Sequence, residues 1–270
     1  MNKPITSREY KLILNADRFK DRQQGTEAFW ELIECLVEKL GGKAGKKAKE
    51  EERQTYYLDT VGLALYQQGF ILRVREEQPD VSKITLKYRH TDRYLSASQD
   101  LFSTDEKNKY KFEEDILANA SSKFSHSVSI KKKKPWSVEN EIKTIDDVIK
   151  LFPGLKVLDS CNNAKIRIVN DFKAHEIAYE LGYIDFDQGQ TKIKAVLNFW
   201  YLDKKERFPL IVEFSFGYDA LTNGAVPNQL EQFSIEIVEK THLLFKTLNK
   251  QVGWVSELAM TKTSYAYQIG

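Results

Sequence analysis

Cationic side chains recur at alternating positions in two neighbouring segments of the chain. Arg73 and Arg75 share one face of the first segment, and Lys83, Lys87 and Arg89 share one face of the second. Because side chains in a β-strand alternate between two faces, the pattern predicts two strands with cations on one side. Cations on one face repel one another unless an anion lies between them, and arginine and lysine bind phosphate oxygens. The segments therefore predict either a solvated basic face or a polyanion site.

Carboxylates occupy equivalent positions on other predicted strands. Glu9, Glu113, Asp115 and Glu213 each lie on a strand face opposite apolar residues. Carboxylates are the groups that hold Mg²⁺ or Mn²⁺, and a divalent cation neutralises and orients phosphate groups. A sheet rolled into a barrel with its charged face inward would form a charged tunnel, with the apolar face outward beneath helices. The alternative is an antiparallel sheet whose charged face is simply solvated.

The elements that must position these residues follow from periodicity. Period-two alternation predicts strands over 7–14, 71–75, 83–89, 109–116, 165–170, 177–186, 192–201 and 210–216. Apolar residues at helical spacing predict helices over 26–40 and 145–152, a helical turn within 61–68, and a long helix capped by Asn228 and ending near Asn249. The charged stretch 42–53 and the polar stretch 94–105 are predicted to be loops. Residues 118–136 are predicted to connect two halves.

Several of these segments resemble the CYTH superfamily, the triphosphate tunnel metalloenzymes, which includes thiamine triphosphatases, inorganic triphosphatases and class IV adenylate cyclases. The matching pieces, in chain order, are Ser7-Arg8-Glu9-Tyr10-Lys11, Tyr57-Leu58-Asp59-Thr60, Leu65 through Gly69 to Leu72-Arg73-Val74-Arg75, Thr85-Leu86-Lys87, Lys111-Phe112-Glu113-Glu114-Asp115, Ile211-Val212-Glu213-Phe214-Ser215, and Lys262 with Tyr265. The resemblance spans nearly the whole chain. Each matching piece is weak evidence by itself, and the resemblance rests mainly on the order and spacing of the pieces.

The resemblance implies an α+β fold built on a closed eight-stranded antiparallel β-barrel, a tunnel with a charged interior and flanking helices. It also implies a triphosphate substrate and a divalent metal, Mg²⁺ or Mn²⁺. The implied substrate-binding residues are Lys11, Arg73, Arg75, Lys87, Lys111, Lys165, Arg167 and Lys262. The implied metal ligands are Glu9, Glu113, Asp115 and Glu213, and the implied catalytic residues are Glu9, Lys11 and Lys87. Phosphoryl transfer of this kind depends mainly on positioning and charge neutralisation.

Two positions depart from the family pattern. Ser7 and Ser215 stand where the family carries carboxylates near the metal, so the site loses up to two negative charges. The function that the sequence favours is metal-dependent hydrolysis of an inorganic or organic triphosphate. The alternatives are a catalytically weakened phosphoanion- or nucleotide-binding module of the same fold, and an adenylate cyclase.

Other residues have structural readings. Arg73 and Arg75 could pair with Glu76 and Glu77 at the strand end, and Lys262 could be an ordinary tail lysine. Asp59 is interpreted as a turn or helix-cap residue rather than a ligand. The four histidines, His90, His126, His175 and His242, lack metal-ligand spacing and are interpreted as structural or surface residues.

Composition limits the classes of protein that remain. The chain has 270 residues, of which 12% are aromatic, and this aromatic content favours a strand-rich fold. Its formal net charge of only +2 argues against a nonspecific nucleic-acid binder. Cys35 and Cys161 are far apart, and no apolar window approaches the length of a membrane span. We therefore expect a cytoplasmic protein with a triphosphate ligand and neither a nucleic-acid nor a membrane partner. We also expect one domain over 1–270, with strand-rich halves at about 1–117 and 137–270. The oligomeric state stays open, a homodimer included.

Overall fold

The computed structural model describes residues 3–77, 80–118, 121–155, 163–220, 233–257 and 260–268. The strands are β1 (Ser7–Leu14), β2 (Lys43–Thr60), β3 (Phe70–Glu77), β4 (Val81–His90), β5 (Lys109–Leu117), β6 (Ser122–Lys133), β7 (Ile166–Asp185), β8 (Ile193–Tyr201) and β9 (Ile211–Asp219). The helices are α1 (Arg22–Lys39), α2 (Ala64–Gln67), α3 (Arg93–Ser98), α4 (Val138–Glu141), α5 (Ile145–Leu151), α6 (Ile235–Leu248) and α7 (Lys262–Gln268). A short 3₁₀ helix (Ala16–Phe19) follows β1.

These strands form one sheet that closes into a ring, in the order β1-β5-β6-β4-β3-β2-β7-β8-β9. The mixed α+β class and the closed, tunnel-like sheet agree with the prediction. The predicted number of eight strands is wrong, because nine strands pair within the described residues. The prediction of a wholly antiparallel sheet is also wrong, because β1 pairs with β5 in parallel and with β9 in antiparallel orientation. The parallel pair is the seam at which the ring closes.

The outer face of the ring is apolar and is covered by helices. Phe29, Trp30 and Ile33 of α1 and Leu244 and Phe245 of α6 pack against apolar residues of β1, β8 and β9. A second apolar cluster joins β2, β3, β4 and β6 to α4 and α5. Each large apolar side chain buried in this way contributes roughly 1.5–3 kcal/mol, so packing of the outer face turns the alternate charged side chains inward.

Three strands were not predicted as they stand. Residues 42–53, predicted to be a loop, belong mostly to β2, because the charged stretch pairs with β7 although it has no apolar face to mark it as a strand. Residues 118–136, predicted to be a connection, contain β6, which pairs with both β4 and β5. The two predicted strands 165–170 and 177–186 form the single strand β7. Positive φ angles at Asn170 (53°) and Asp171 (52°) interrupt its alternation where the register to β2 shifts.

The predicted helices are found with different ends. Helix α1 begins at Arg22, where Asp21 caps it, and ends at Lys39, just before Gly41, whose positive φ of 75° terminates it. Residues 94–105 were predicted to be a loop, but α3 occupies the first part of this stretch, capped by Asp92. Helix α6 begins at Ile235 with Ser234 as its N-cap, and the predicted cap Asn228 lies outside the described residues.

None of the helices in the described ranges is long and apolar enough to cross a membrane. Cys35 is exposed and unpaired, whereas Cys161 lies outside the described residues.

Candidate functional site

The ring of strands encloses a cavity of about 440 Å³. Eleven lysine and arginine side chains line it, against five glutamates, so the lining carries a surplus of positive charge. Nine of the predicted site residues line this cavity: Glu9, Lys11, Arg73, Arg75, Lys87, Lys111, Glu113, Glu213 and Lys262. Alternation places most of them there, because Lys11, Arg73, Arg75, Lys87, Glu113 and Glu213 each follow a buried apolar residue on the outer face of the ring. Lys262 reaches the cavity from helix α7 instead.

Asp115 is fully buried in the wall of the cavity and is surrounded by cations. Its carboxylate oxygens lie 2.7 Å from Lys11 Nζ, 2.8 Å from Arg89 Nη2 and 3.9 Å from Lys87 Nζ, and Ser125 Oγ donates to it at 3.1 Å. Burial alone would raise the pKa of Asp115, but the three cations hold that pKa well below its ordinary value. We call these five residues the Asp115 cluster.

Glu113 extends this network along β5. Its carboxylate lies 3.1 Å from Lys111 Nζ and 3.6 Å from Lys87 Nζ, and Ser7 Oγ donates to it at 3.3 Å. Burial opposes ionisation of Glu113, but Lys87 and Lys111 outweigh it and lower the pKa of Glu113 to about 2. Glu9, on β1, pairs with Lys11 Nζ at 2.9 Å. Three of the four predicted metal ligands are therefore already neutralised by lysine or arginine.

A second buried carboxylate, Glu176 on β7, was missed by the sequence analysis. Arg53 donates to both of its oxygens at 3.1 and 3.2 Å, and Lys262 and Arg75 lie 3.2 and 3.5 Å away. Thr55 also donates a hydrogen bond to Glu176. Burial would raise the pKa of Glu176, but the surrounding cations, Arg75 first, keep that pKa well below its ordinary range. We call these five residues the Glu176 cluster.

A sequence signal for this cluster did exist. Lys49, Glu51 and Arg53 alternate along β2, and Glu176 and Glu180 lie at even spacing along β7. Their neighbours in the chain include charged residues as well as apolar ones, so period-two alternation of hydrophobicity does not appear in β2. Alternation of charge alone would have found these residues.

Lys262 links the end of the chain to the wall of the cavity. It begins α7 and is largely buried, with Nζ 3.2 Å from Glu176 Oε1 and 3.0 Å from Glu213 Oε1. Its ammonium also lies 5.6 Å from the centre of the Trp200 ring, within the range of a cation–π interaction. The reading of Lys262 as an ordinary tail lysine does not match this environment.

Three cations form a group with few partners, which we call the cationic triad: Arg73, Lys83 and Arg75, the last of which also belongs to the Glu176 cluster. Arg75 on β3 lies directly opposite Lys83 on β4, a like-charge pairing that destabilises a sheet. Among the described residues, no carboxylate lies within ion-pairing distance of Arg73 or Lys83. The buried Nε atoms of Arg73 and Arg75 have no hydrogen-bond partner within the part of the chain that the structure describes.

The pKa values of the triad reflect this surplus of positive charge. Burial, and then repulsion by Arg73 and Arg75, lowers the pKa of Lys83 to about 8. Burial and repulsion by Arg73 lower the pKa of Arg75 to about 10, although Glu176 acts in the opposite direction. Burial likewise lowers the pKa of Lys87 to about 8 despite its two carboxylate neighbours. An anion in contact with these groups would restore their ordinary basicity.

Two predicted ligands are not brought to the cavity. Lys165 precedes β7 and Arg167 lies near its start, opposite Asp59, and both side chains are exposed outside the cavity lining. The pattern placed them on one strand face correctly. That face points to solvent, because the irregularity at Asn170 and Asp171 separates this end of β7 from the part that lines the cavity.

The structure also shows the environments of the residues that were interpreted as structural. Glu76 accepts a hydrogen bond from Tyr56 and Glu77 pairs with Lys131, so neither forms the predicted pair with Arg73 or Arg75. Asp59 accepts hydrogen bonds from the backbone N–H groups of Thr60, Leu65 and Tyr66 and so fixes the turn that contains α2, which confirms its reading as a capping residue. The four histidines are absent from the cavity lining.

The side chains around the cavity show whether they could bind the divalent metal that the resemblance implies. Within the described ranges, no three histidine, cysteine, aspartate or glutamate side chains converge as a metal-binding group. Instead, Glu9, Glu113, Asp115 and Glu213 each pair with at least one cation of the chain. Serines occupy positions 7 and 215, where further carboxylates were expected. As arranged, these residues do not fit a preformed site for a divalent metal.

Comparisons with known proteins concern the fold. No protein-family model matches the chain, and no curated protein matches it. A candidate adenylyl cyclase from Hippeastrum, described as having a dominant triphosphatase activity, is a structural match with a TM-score of 0.45 and 11% identity, over 97% of this chain and 95% of that one. A candidate adenylate cyclase from Bacillus halodurans matches with a TM-score of 0.43 and 12% identity, over 98% of both chains.

A candidate adenylate cyclase from Vibrio parahaemolyticus matches with a TM-score of 0.32 and 11% identity, over 94% of this chain and 91% of that one. The chain is thus similar to these proteins over nearly its full length. At 11–12% identity and TM-scores below 0.5, the similarity does not identify a ligand.

Proposed function

We propose that the chain binds a triphosphate-containing anion inside its cavity, with the cationic triad as the main contact. The observation that carries the proposal is the direct cross-strand pairing of Arg75 with Lys83, beside Arg73. Among the described residues the three cations have one carboxylate in ion-pairing distance, Glu176, which lies 3.5 Å from Arg75 and is shared with Arg53 and Lys262. Holding three like charges together in a buried wall costs free energy, which a bound polyanion recovers through charge-assisted hydrogen bonds.

The surrounding side chains favour an anion with several phosphoryl groups. Arginine presents paired N–H donors that match phosphate oxygens, and the triad holds two arginines two residues apart on one strand. Lys87 lies on the same face of β4 as Lys83, and the hydroxyls of Ser127 and Ser129 line the cavity beside them. A single phosphate would neutralise only some of these cations, whereas the longer triphosphate can place negative charge beside more of them.

The test is isothermal titration with tripolyphosphate in EDTA, using matched arginine variants. We expect Arg73→Ala to weaken binding by at least tenfold, because it removes a charge-assisted contact worth about 1.5–3 kcal/mol. Arg167→Ala removes the same group from the exposed part of β7 and should bind as the unmodified chain does. Equal affinity of Arg73→Ala and the unmodified chain, with the fold intact by circular dichroism, would refute the proposal.

Metal-dependent hydrolysis of a triphosphate is the second candidate. Glu9, Glu113 and Glu213 face the same cavity as the triad, so carboxylates and a bound anion would lie close together. Against it, each of these carboxylates is paired with a lysine of the chain. Release of phosphate from tripolyphosphate, thiamine triphosphate or ATP with Mg²⁺ or Mn²⁺, lost in Arg73→Ala, would support hydrolysis. Binding without release under all these conditions would leave a binding module.

A further inference from the structure

Strand β2 extends about ten residues beyond the end of its neighbour β3. Pairing with β3 starts at Arg53, whereas pairing with β7 continues to Lys43. In the part of the chain that the structure describes, the β3-side edge of residues 43–52 therefore has no strand beside it. Helix α1 reaches this stretch from the outer face, where Arg22 pairs with Glu50 at 3.3 Å. The unpaired edge presents backbone N–H and C=O groups that can pair with another strand.

The charges along this edge are divided by sign. The first half carries Lys46, Lys47 and Lys49, and the second half carries Glu50, Glu51 and Glu52, all exposed. Lysines alone would discourage pairing with any strand, as they do on many sheet edges. A strand that is basic in one half and acidic in the other is complementary to an antiparallel copy of itself. We propose that the β2 edge is a dimer interface, at which a second copy of the chain adds its own β2 across a two-fold axis.

The faces of β2 limit the possible registers to those in which a residue faces its own copy, and the charges favour one of them. Lys49 and Glu51 line the cavity, and Lys47 joins them on the inner face, where it pairs with Glu180 at 2.9 Å. Lys46 lies two residues after Ala44, which packs against the outer apolar cluster, and is therefore on the outer face. Glu52 lies opposite Ile177, which packs against the same cluster, and pairs with Lys204 there. A continuous sheet across a two-fold axis requires facing residues to lie on one face.

Placing Lys49 opposite its own copy meets this requirement. It sets Lys47 opposite Glu51 of the partner subunit and Lys46 opposite Glu52 of the partner subunit. The two Lys49 side chains then meet as a like-charge pair on the axis, which opposes pairing, although each stays 2.7 Å from Glu51 of its own chain. The register shift between Lys46 and Lys49 lies in the ladder to β7 and recurs symmetrically in both copies.

The arrangement would place the two cavities side by side. Lys49 and Glu51 belong both to the free edge and to the cavity lining, so the two-fold axis runs beside the lining of both cavities. The interface is independent of the anion, because none of its pairs uses the cationic triad.

The first test is sedimentation equilibrium of the full chain at low salt. We expect a dimer, and we expect Lys46→Glu and Glu52→Lys each to raise its dissociation constant by about tenfold, since each puts like charges opposite one another twice per dimer. The double variant Lys46→Glu/Glu52→Lys exchanges the partners and should restore the dimer. Lys107→Glu, the same charge change on an exposed loop, should have no effect. A monomeric unmodified chain, or a dimer indifferent to both single variants, would overturn the interface.

The second test reads the register through cysteine crosslinking. In a background with Cys35→Ser and Cys161→Ser, oxidation with copper phenanthroline should link Lys49→Cys chains, because facing residues have Cα atoms about 4.5–5.5 Å apart, within disulfide reach. Ala48→Cys, one residue away, points to the other face and should not link. Crosslinking of Ala48→Cys in preference to Lys49→Cys would contradict the charge pairing on which the interface depends.

Discussion

Buried charges in this molecule fall into two kinds. Asp115 and Glu176 are fully buried, but several cations surround each, so both carboxylates stay ionised. The cationic triad has the opposite balance, because Arg73 and Lys83 have no carboxylate partner among the described residues. Buried charges of the first kind hold the wall of the cavity together. Those of the second kind cost stability in the free protein, which is the usual sign of a ligand site.

The depressed pKa of Lys83 predicts a pH dependence for anion binding. Lys83 is charged below its pKa of about 8 and loses its charge as the pH rises through that value, whereas an arginine keeps its charge. We expect the affinity for tripolyphosphate to fall between about pH 7 and pH 9, and titration calorimetry at each pH measures it. Lys83→Arg should flatten this fall, leaving the contribution of Lys87, while Lys165→Arg should keep the original slope. Identical slopes for Lys83→Arg and the unmodified chain would exclude Lys83 as a contact.

At the level of elements, the geometry of β2 and β7 determines which of their charged side chains face the cavity. Their cavity-lining halves bring Arg53 and Glu176 together, and the irregular start of β7 leaves Arg167 in solvent. The sequence predicted the strands that have one apolar face, such as β1 and β4, because a half-buried strand has a visible period. Alternation of hydrophobicity could not predict a strand such as β2, whose charged first half is stabilised by pairing and alternates only in charge. The Glu176 cluster was missed for the same reason.

One of the buried contacts that hold helix α7 is the ion pair of Lys262, and its contribution can be tested. Lys262 joins α7 to Glu176 and Glu213 and lies against Trp200. We expect Lys262→Ala to lower the free energy of unfolding by about 2 kcal/mol, because it leaves Glu213 without its cation. Exchange of the α7 amides should accelerate at the same time.

Urea denaturation and hydrogen exchange measure these two effects. Lys246→Ala, on the exposed side of α6, is the control and should change stability by less than about 0.5 kcal/mol. If Lys262→Ala behaves like Lys246→Ala in both measurements, α7 is not held by this lysine.

For the whole molecule, the inward-facing charge and the outward-facing apolar surface follow from one alternation around the ring. That property could be read from the sequence, because alternation needs only local spacing. The way the ring closes could not be read from the sequence. The ninth strand and the parallel pairing of β1 with β5 depend on contacts between residues about a hundred positions apart. Net charge was equally uninformative: the chain as a whole carries +2, while the lining of the cavity holds a marked surplus of cations.

This concentration of charge predicts that anions stabilise the whole fold according to their length. A ligand that binds only the folded chain adds about 2.7 kcal/mol at a concentration one hundred times its dissociation constant, which corresponds to several degrees in the melting temperature. At equal concentration and ionic strength, we expect the rise in melting temperature to increase from orthophosphate to pyrophosphate to tripolyphosphate, because longer anions contact more of the cavity cations. Differential scanning fluorimetry measures this order, with sodium chloride as the ionic-strength control. Arg73→Ala should reduce the rise in melting temperature with all three anions towards zero, whereas Arg167→Ala should leave the three rises unchanged. Equal shifts for the three anions in the unmodified chain would mean that they act through general screening and not through the cavity.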